Sequence, residues 1–223
     1  MNVFVLHENP RIAAQMHLDK HVVKMIIEYA QLLSTAHRLL DGVEVKLELP
    51  NGRIQKLWTM RGEKFELADD NDDGTFGDAQ RLRKTQKFII TNPVCYSASH
   101  MNHPCGVWAR ESDSNYRWLF RLFQETSAEY THRYGKIHKT WTDVGMFLSE
   151  PPRNIAAGDL TSFPQAMGEE FKVHNDSVQA YRNYYLGPKA AFAKWTNRPA
   201  PDWFKAGTKD YDVSNFERTR PVA

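Results

Sequence analysis

A mainly α-helical fold is what the sequence predicts: a compact helical domain with two long helices, a small β-hairpin insertion and an irregular C-terminal tail. Three observations predict it. Two stretches, from Arg11 to about Leu40 and from Gly106 to Tyr134, contain no internal helix breaker and repeat apolar residues at helical spacing. Each is bounded by residues that start and stop helices. Only the segment 43–60 alternates in the manner of paired strands. At 223 residues, 41% of them hydrophobic and 25% charged, the chain can bury a sizeable core. The expected organisation is one helical domain over 1–206 and a tail over 207–223.

Val3–Leu6, at the chain start, is a short apolar run, either a strand or an anchor. Asn9 is a good N-cap, and Pro10 suits the first helical position. The helix opened there runs to Asp41 and Gly42, and its length calls for a kink or break near Asp19. Val45, Leu47 and Leu49 lead into Asn51 and Gly52, and Ile54, Leu57 and Trp58 lead away, which reads as a hairpin.

The stretch 62–78 is acidic and reads as a solvated loop. Its Asp69–Gly74 run carries oxygen ligands but neither the spacing nor the closing Glu of a calcium loop. Arg81, Arg83, Lys84 and Lys87 form a basic run, either a solvated face or a phosphate contact. His103 and Pro104 open the second long helix, whose Trp108, Tyr116, Leu119, Phe120 and Phe123 belong to the core. A short helix over Thr140–Leu148 stops at Pro151, and another over Asp176–Trp195 is interrupted at Gly187 and Pro188.

Composition narrows the function classes. A net charge of +2 is too small to declare a polyanion partner by itself. The 6 Trp, 9 Tyr and 12 Phe mean either a dense core or a surface on which bases stack. Two cysteines, Cys95 and Cys105, imply no disulfide framework and a reducing compartment. The N-terminal residues do not make a signal peptide, and no apolar run suits a membrane span. A cytoplasmic protein without a membrane partner is expected. Gly-rich phosphate loops, the GxSxG elbow, HExxH and dinucleotide fingerprints are all missing, so no cofactor and no metal is expected.

The chemistry-bearing pattern lies on the first helix. His17, His21, Lys24, Glu28, Gln31 and Thr35 succeed one another at steps of four, three, four, three and four residues, so all project from one side. Val22, Val23, Met25, Ile26, Ile27, Leu32, Leu33 and Ala36 surround them. The stripe should therefore line a cleft or be satisfied inside the protein. In a cleft Glu28 would act as acid or base and Lys24 as nucleophile or counter-ion, with His21 beside them. The plainer alternative is a buried Lys24–Glu28 pair with both histidines held by backbone carbonyls. His17 and His21 also have metal-pair spacing, with Asp19 or His103 as a further donor, but no third ligand stands at diagnostic distance. Candidate substrate contacts are His17, Lys20, Gln31, His103, Arg110, Arg81, Arg83 and Lys84.

The runs Asp19–Leu33, Asn102–Trp108 and Glu129–Gly135 resemble uncharacterised phage proteins. More remotely they resemble the pyrimidine-dimer DNA glycosylase family, the small phage enzymes called endonuclease V. The resemblance covers the two long helices, about a third of the chain. It implies a compact helical enzyme that excises a damaged pyrimidine and then nicks the strand. In that family the catalytic Glu comes seven positions after a DNA-contacting His, the spacing of His21 and Glu28. A C-terminal segment that lies on DNA is echoed by Arg198, Pro199, Trp203 and Phe204. The pattern departs in three ways. The family's nucleophile is the α-amine of an N-terminal Thr, whereas Met1 is followed here by Asn2. Ile27 stands where the family has Arg, and this chain is far longer. Either Lys24 supplies the amine or the chemistry has changed.

Three functions remain open: a DNA N-glycosylase with or without lyase activity on an abasic site, a transferase that modifies a pyrimidine in phage DNA or a nucleotide, and a non-catalytic phage protein that binds a host factor. DNA or a nucleotide is the expected partner in the first two.

Overall fold

The protein's computed structural model describes residues 2–68 and 87–210. The fold is mainly α-helical, with seven α-helices and two small antiparallel sheets among the described residues.

The chain start, Val3–Leu6, is buried throughout without joining a sheet. Helix α1 (Pro10–Met16) is capped by the Asn9 side chain, which accepts from Arg11 and Ile12 N–H. His17 and Leu18 are extended, and α2 (Asp19–Asp41) then begins. The break expected near Asp19 is therefore present, two residues earlier. Helix α2 packs along the long helix α4 (Asp113–Tyr134), and α1 packs against the same helix. Met25, Ile26, Leu32 and Leu33 of α2 and Tyr116, Leu119, Leu122 and Phe123 of α4 are buried in one core.

The second long helix is a correction. It divides into α3 (Pro104–Ala109) and α4, because Ser112 caps a new helix through Asn115 N–H. The buried Asn115 amide also donates to Trp108 O, fixing the corner. Helix α4 ends at Gly135, whose φ of 65° is the left-handed conformation that glycine adopts without strain. Helix α5 (Lys139–Leu148) matches expectation. Helix α6 (Ser177–Leu186) stops at Gly187, and the chain beyond it makes a single 3-10 turn, Ala190–Phe192, rather than more α-helix. Helix α7 (Asp202–Asp210) extends into the segment expected to be tail.

Strands β1 (Val43–Glu48) and β2 (Ile54–Thr59) form the expected hairpin, Val43 opposite Thr59 and Glu48 opposite Ile54. A second sheet is a departure from the sequence pattern. Part of the acidic stretch is strand β3 (Lys64–Ala68), paired with β4 (Lys87–Thr91), and not loop. Gln55 joins the sheets, its amide exchanging two hydrogen bonds with the Phe88 backbone at 2.8 and 2.7 Å. The acidic run from Asp69 lies outside the described residues.

Both sheets are fastened to α2 by one buried arginine. Arg38 donates to the carbonyls of Tyr96, Trp58 and Cys95 and forms a two-pronged ion pair with Glu63. Burial alone would raise the Glu63 pKa, but Arg38 and the Met60 and Val94 N–H groups hold it below the usual carboxylate range.

Candidate active site

The polar stripe of α2 does not stay together. Its N-terminal end turns inward. His17 belongs to the break between α1 and α2, not to the helix, yet its ring remains a neighbour of His21 at 6.4 Å. His17 Nδ1–H donates to Ala13 O at 2.6 Å, so Nε2 is the acceptor for the Tyr29 hydroxyl at 2.8 Å. His21 Nδ1 accepts from the Tyr185 hydroxyl at 2.6 Å, and its ring stacks on Phe4 at 4.2 Å. Burial lowers the His17 pKa to about 4. Burial, then the positive fields of His17, Lys189 and Lys24, take His21 to about 2. Both imidazoles are neutral at physiological pH. Since both ring nitrogens of His17 are spent on protein partners, the His17–His21 metal pair expected as an alternative is not available in this arrangement. Among the described residues no group of three metal-type side chains gathers.

The middle of the stripe faces outward. Val23 and Ile27 are 43% and 40% exposed, so the apolar neighbours that were to enclose it do not. The Lys24 side chain is 72% exposed and lies 3.1 Å from Glu28, whose side chain is 13% exposed. Lys24 thus lacks the apolar enclosure that a nucleophilic amine asks for, and the fully buried ion pair is equally absent. Glu28 stands at the boundary between protein and water. Gln31 is half-buried. Thr35 is buried, donates to Gln31 O at 2.7 Å, and exchanges hydrogen bonds of 3.1 Å with the Ser99 backbone.

That last contact brings a second set of residues to α2. The turn Ser99–His103 leads into α3, where the His103 ring nitrogen accepts from Cys105 N–H. Burial lowers the His103 pKa and His100 adds to this, while the charge of Glu28 opposes both. Arg110 lies at the far end of α3, close enough that a Cβ on Gly106 would meet its Nη1 at 3.8 Å and His100 O at 3.4 Å. The chain start and α3 share one core, in which Val3 and Cys105 are both buried. Among the described residues three buried side-chain polar atoms have no hydrogen-bond partner: Asn2 Oδ1, Ser99 Oγ and Arg110 Nη1. Ser99 precedes α3 and Arg110 follows it. Buried polar atoms left unpaired are costly and rare.

Of the residues expected at a site, His103 stands in the turn before α3 within the field of Glu28, while Arg110 caps the far end of α3. Lys20 and Lys24 are exposed nearby on α2, and His17 and His21 are committed to the tyrosine-lined interior. Arg81, Arg83, Lys84 and Met1 lie outside the described residues. The C-terminal echo is a correction of another kind. Trp203 and Phe204 pack inward, Trp203 against Tyr185 and Phe204 against Trp195. Arg198 pairs with the buried Glu129 at 2.8 Å instead of projecting freely.

Sequence reasoning missed the network to which Arg198 belongs. Arg133 holds Asp19 at 2.8 Å and Glu129 at 2.7 Å, and Thr196 donates to Asp19 twice. Burial would raise the Asp19 pKa, but Thr196 and Arg133 hold it low. Glu129 and Arg133 at a four-residue spacing were the one local signal of it. Tyr29 and Tyr185, the partners of the histidines, gave none.

The arrangement supplies a carboxylate at the water boundary with an ammonium beside it. That pair can stabilise a developing cation. The chain was compared with protein-family models, curated proteins and solved structures, and none of them matches it.

Proposed function

We propose that the protein is a DNA N-glycosylase acting on a damaged or modified pyrimidine, with Glu28 as its central carboxylate. The observation that carries this reading is the position of Glu28. It is shielded enough to keep its field unscreened, yet open to water and paired with Lys24 at 3.1 Å. As the N-glycosidic bond breaks, the sugar becomes cationic, and a fixed carboxylate stabilises that charge. Water then adds its hydroxyl to the sugar carbon, and its proton goes to the departing base. Lys24 acts on this reading as the charge that orients Glu28. The unspent donors of Arg110 and Ser99 suit a phosphate or a base carbonyl.

The test is release of the base from pyrimidine-dimer or modified DNA. Glu28→Gln should abolish release while keeping a cooperative melting transition, because the amide fills the space of the carboxylate at the water boundary. A variant that releases base at the wild-type rate would end the proposal. The same Arg110 and Ser99 donors favour a second reading, a transferase whose leaving group is a phosphate. Turnover that depends on a second, phosphorylated substrate would select it.

A further inference from the structure

Around His21 the surface carries three ammonium groups and an aromatic floor. Lys20 Nζ lies 4.4 Å from the centre of the Phe192 ring, and Lys189 Nζ lies 5.8 Å from the same ring and 4.8 Å from that of Tyr184. Tyr184 stacks on Phe4 at an interplanar angle of 7°, and Phe4 stacks on His21, so the floor is continuous with the core. Lys24 completes the group from α2. Neither Lys20 nor Lys189 has a carboxylate at salt-bridge distance among the described residues. Ring faces attract an ammonium without cancelling its charge. Lys20 and Lys189 are therefore gathered and steadied while their field stays available, and Lys24 stands beside them in its pair with Glu28.

We propose that Lys20, Lys24 and Lys189, with Phe192 and Tyr184 between them, form the track that holds the phosphates of a nucleic-acid strand as it passes the N-terminal end of α2 toward Glu28. This rests on the DNA-glycosylase reading and adds the path of the strand. Lysines spaced by aromatic rings suit a flexible polynucleotide, whose phosphates meet the ammonium groups while its bases find ring surface.

The experiment tracks binding of a short labelled DNA strand, single and duplex, to the full chain as salt is raised from about 50 mM. Each lysine that meets a phosphate steepens the fall of log affinity against log salt by about 0.7–0.9. Lys20→Ala with Lys189→Ala should flatten the slope by about twice that. Lys20→Arg with Lys189→Arg should restore it, and Lys46→Ala, on the distant hairpin, should leave it alone. An unchanged slope in the alanine pair, with wild-type binding intact, overturns the track while leaving the DNA reading standing. No binding by the wild type near 50 mM overturns both. Equal binding of polyglutamate at matched charge overturns the nucleic-acid assignment of the patch.

Discussion

His17 and His21 sit on either side of a helix break and meet burial in the same way, each neutral and each taking a tyrosine hydroxyl as donor. His37 meets Tyr116 at 2.9 Å the other way round: the Tyr116 hydroxyl donates to Leu148 O and accepts from His37 Nε2–H, and burial lowers the His37 pKa to about 4. In the unfolded chain these imidazoles take up protons near their ordinary value of 6.5, whereas the folded protein refuses them until about 4 or, for His21, about 2. Below 6.5 the unfolded state therefore binds more protons, and stability must fall as the pH drops. Each histidine contributes up to about 1.4 kcal/mol per pH unit. The His17 and His37 contributions level off near pH 4, where the low-lying Asp19 and Glu63 carboxylates begin to cost stability in turn. The urea midpoint should drop steadily from pH 7 to pH 5, with the imidazole NMR signals of all three unshifted over that range. A midpoint that stays level would show that they are not held neutral by the fold. Arg38 gives a sharper test. Arg38→Met strands the Glu63 carboxylate and should cost about 3–5 kcal/mol in denaturant unfolding. Adding Glu63→Leu should return a large part of it.

Among the elements, Gly42 joins α2 to the first hairpin through a close approach. A Cβ there would stand 2.4 Å from Arg38 O and 3.3 Å from Thr59 O. Gly42→Ala should force the backbone apart at a cost of about 1–3 kcal/mol, with amide exchange accelerating first in β1. The helices and this hairpin were legible because their signals are local: Asn9–Pro10 at one start, Gly135 at one end, Asn51–Gly52 at the turn. The β3–β4 pair was not, since its strands lie far apart in the sequence and the first falls within the acidic stretch. The polar stripe was legible only in part. Its spacing assumes one continuous helix, and extended residues at His17–Leu18 end that assumption, sending the histidines inward and leaving Lys24 in water. Glu28 and Gln31 keep the predicted side. The turn that carries Ser99 and His103 docks on α2 through Thr35, which no sequence period reveals.

At the scale of the molecule, residues 194–204 act as a strap across the α1–α2 break. Lys194 O accepts from Asp19 N–H, Trp195 donates to Met16 O, Thr196 holds the Asp19 carboxylate, and Arg198 reaches Glu129 on α4. A chain ended at Ala193 should lose the cooperative melting transition, and a peptide spanning 194–210, added in excess, should restore it. Failure of the peptide to act would mean that the strap is a consequence of the fold and does not complete it. The strap also sets an order in time. Asp19 is made early in synthesis and Thr196 late, and contacts between such distant positions close slowly because a long loop must first be gathered. During synthesis the Asp19 carboxylate can meet Arg133 first and Thr196 only later, so the junction of the first two helices is completed in two steps.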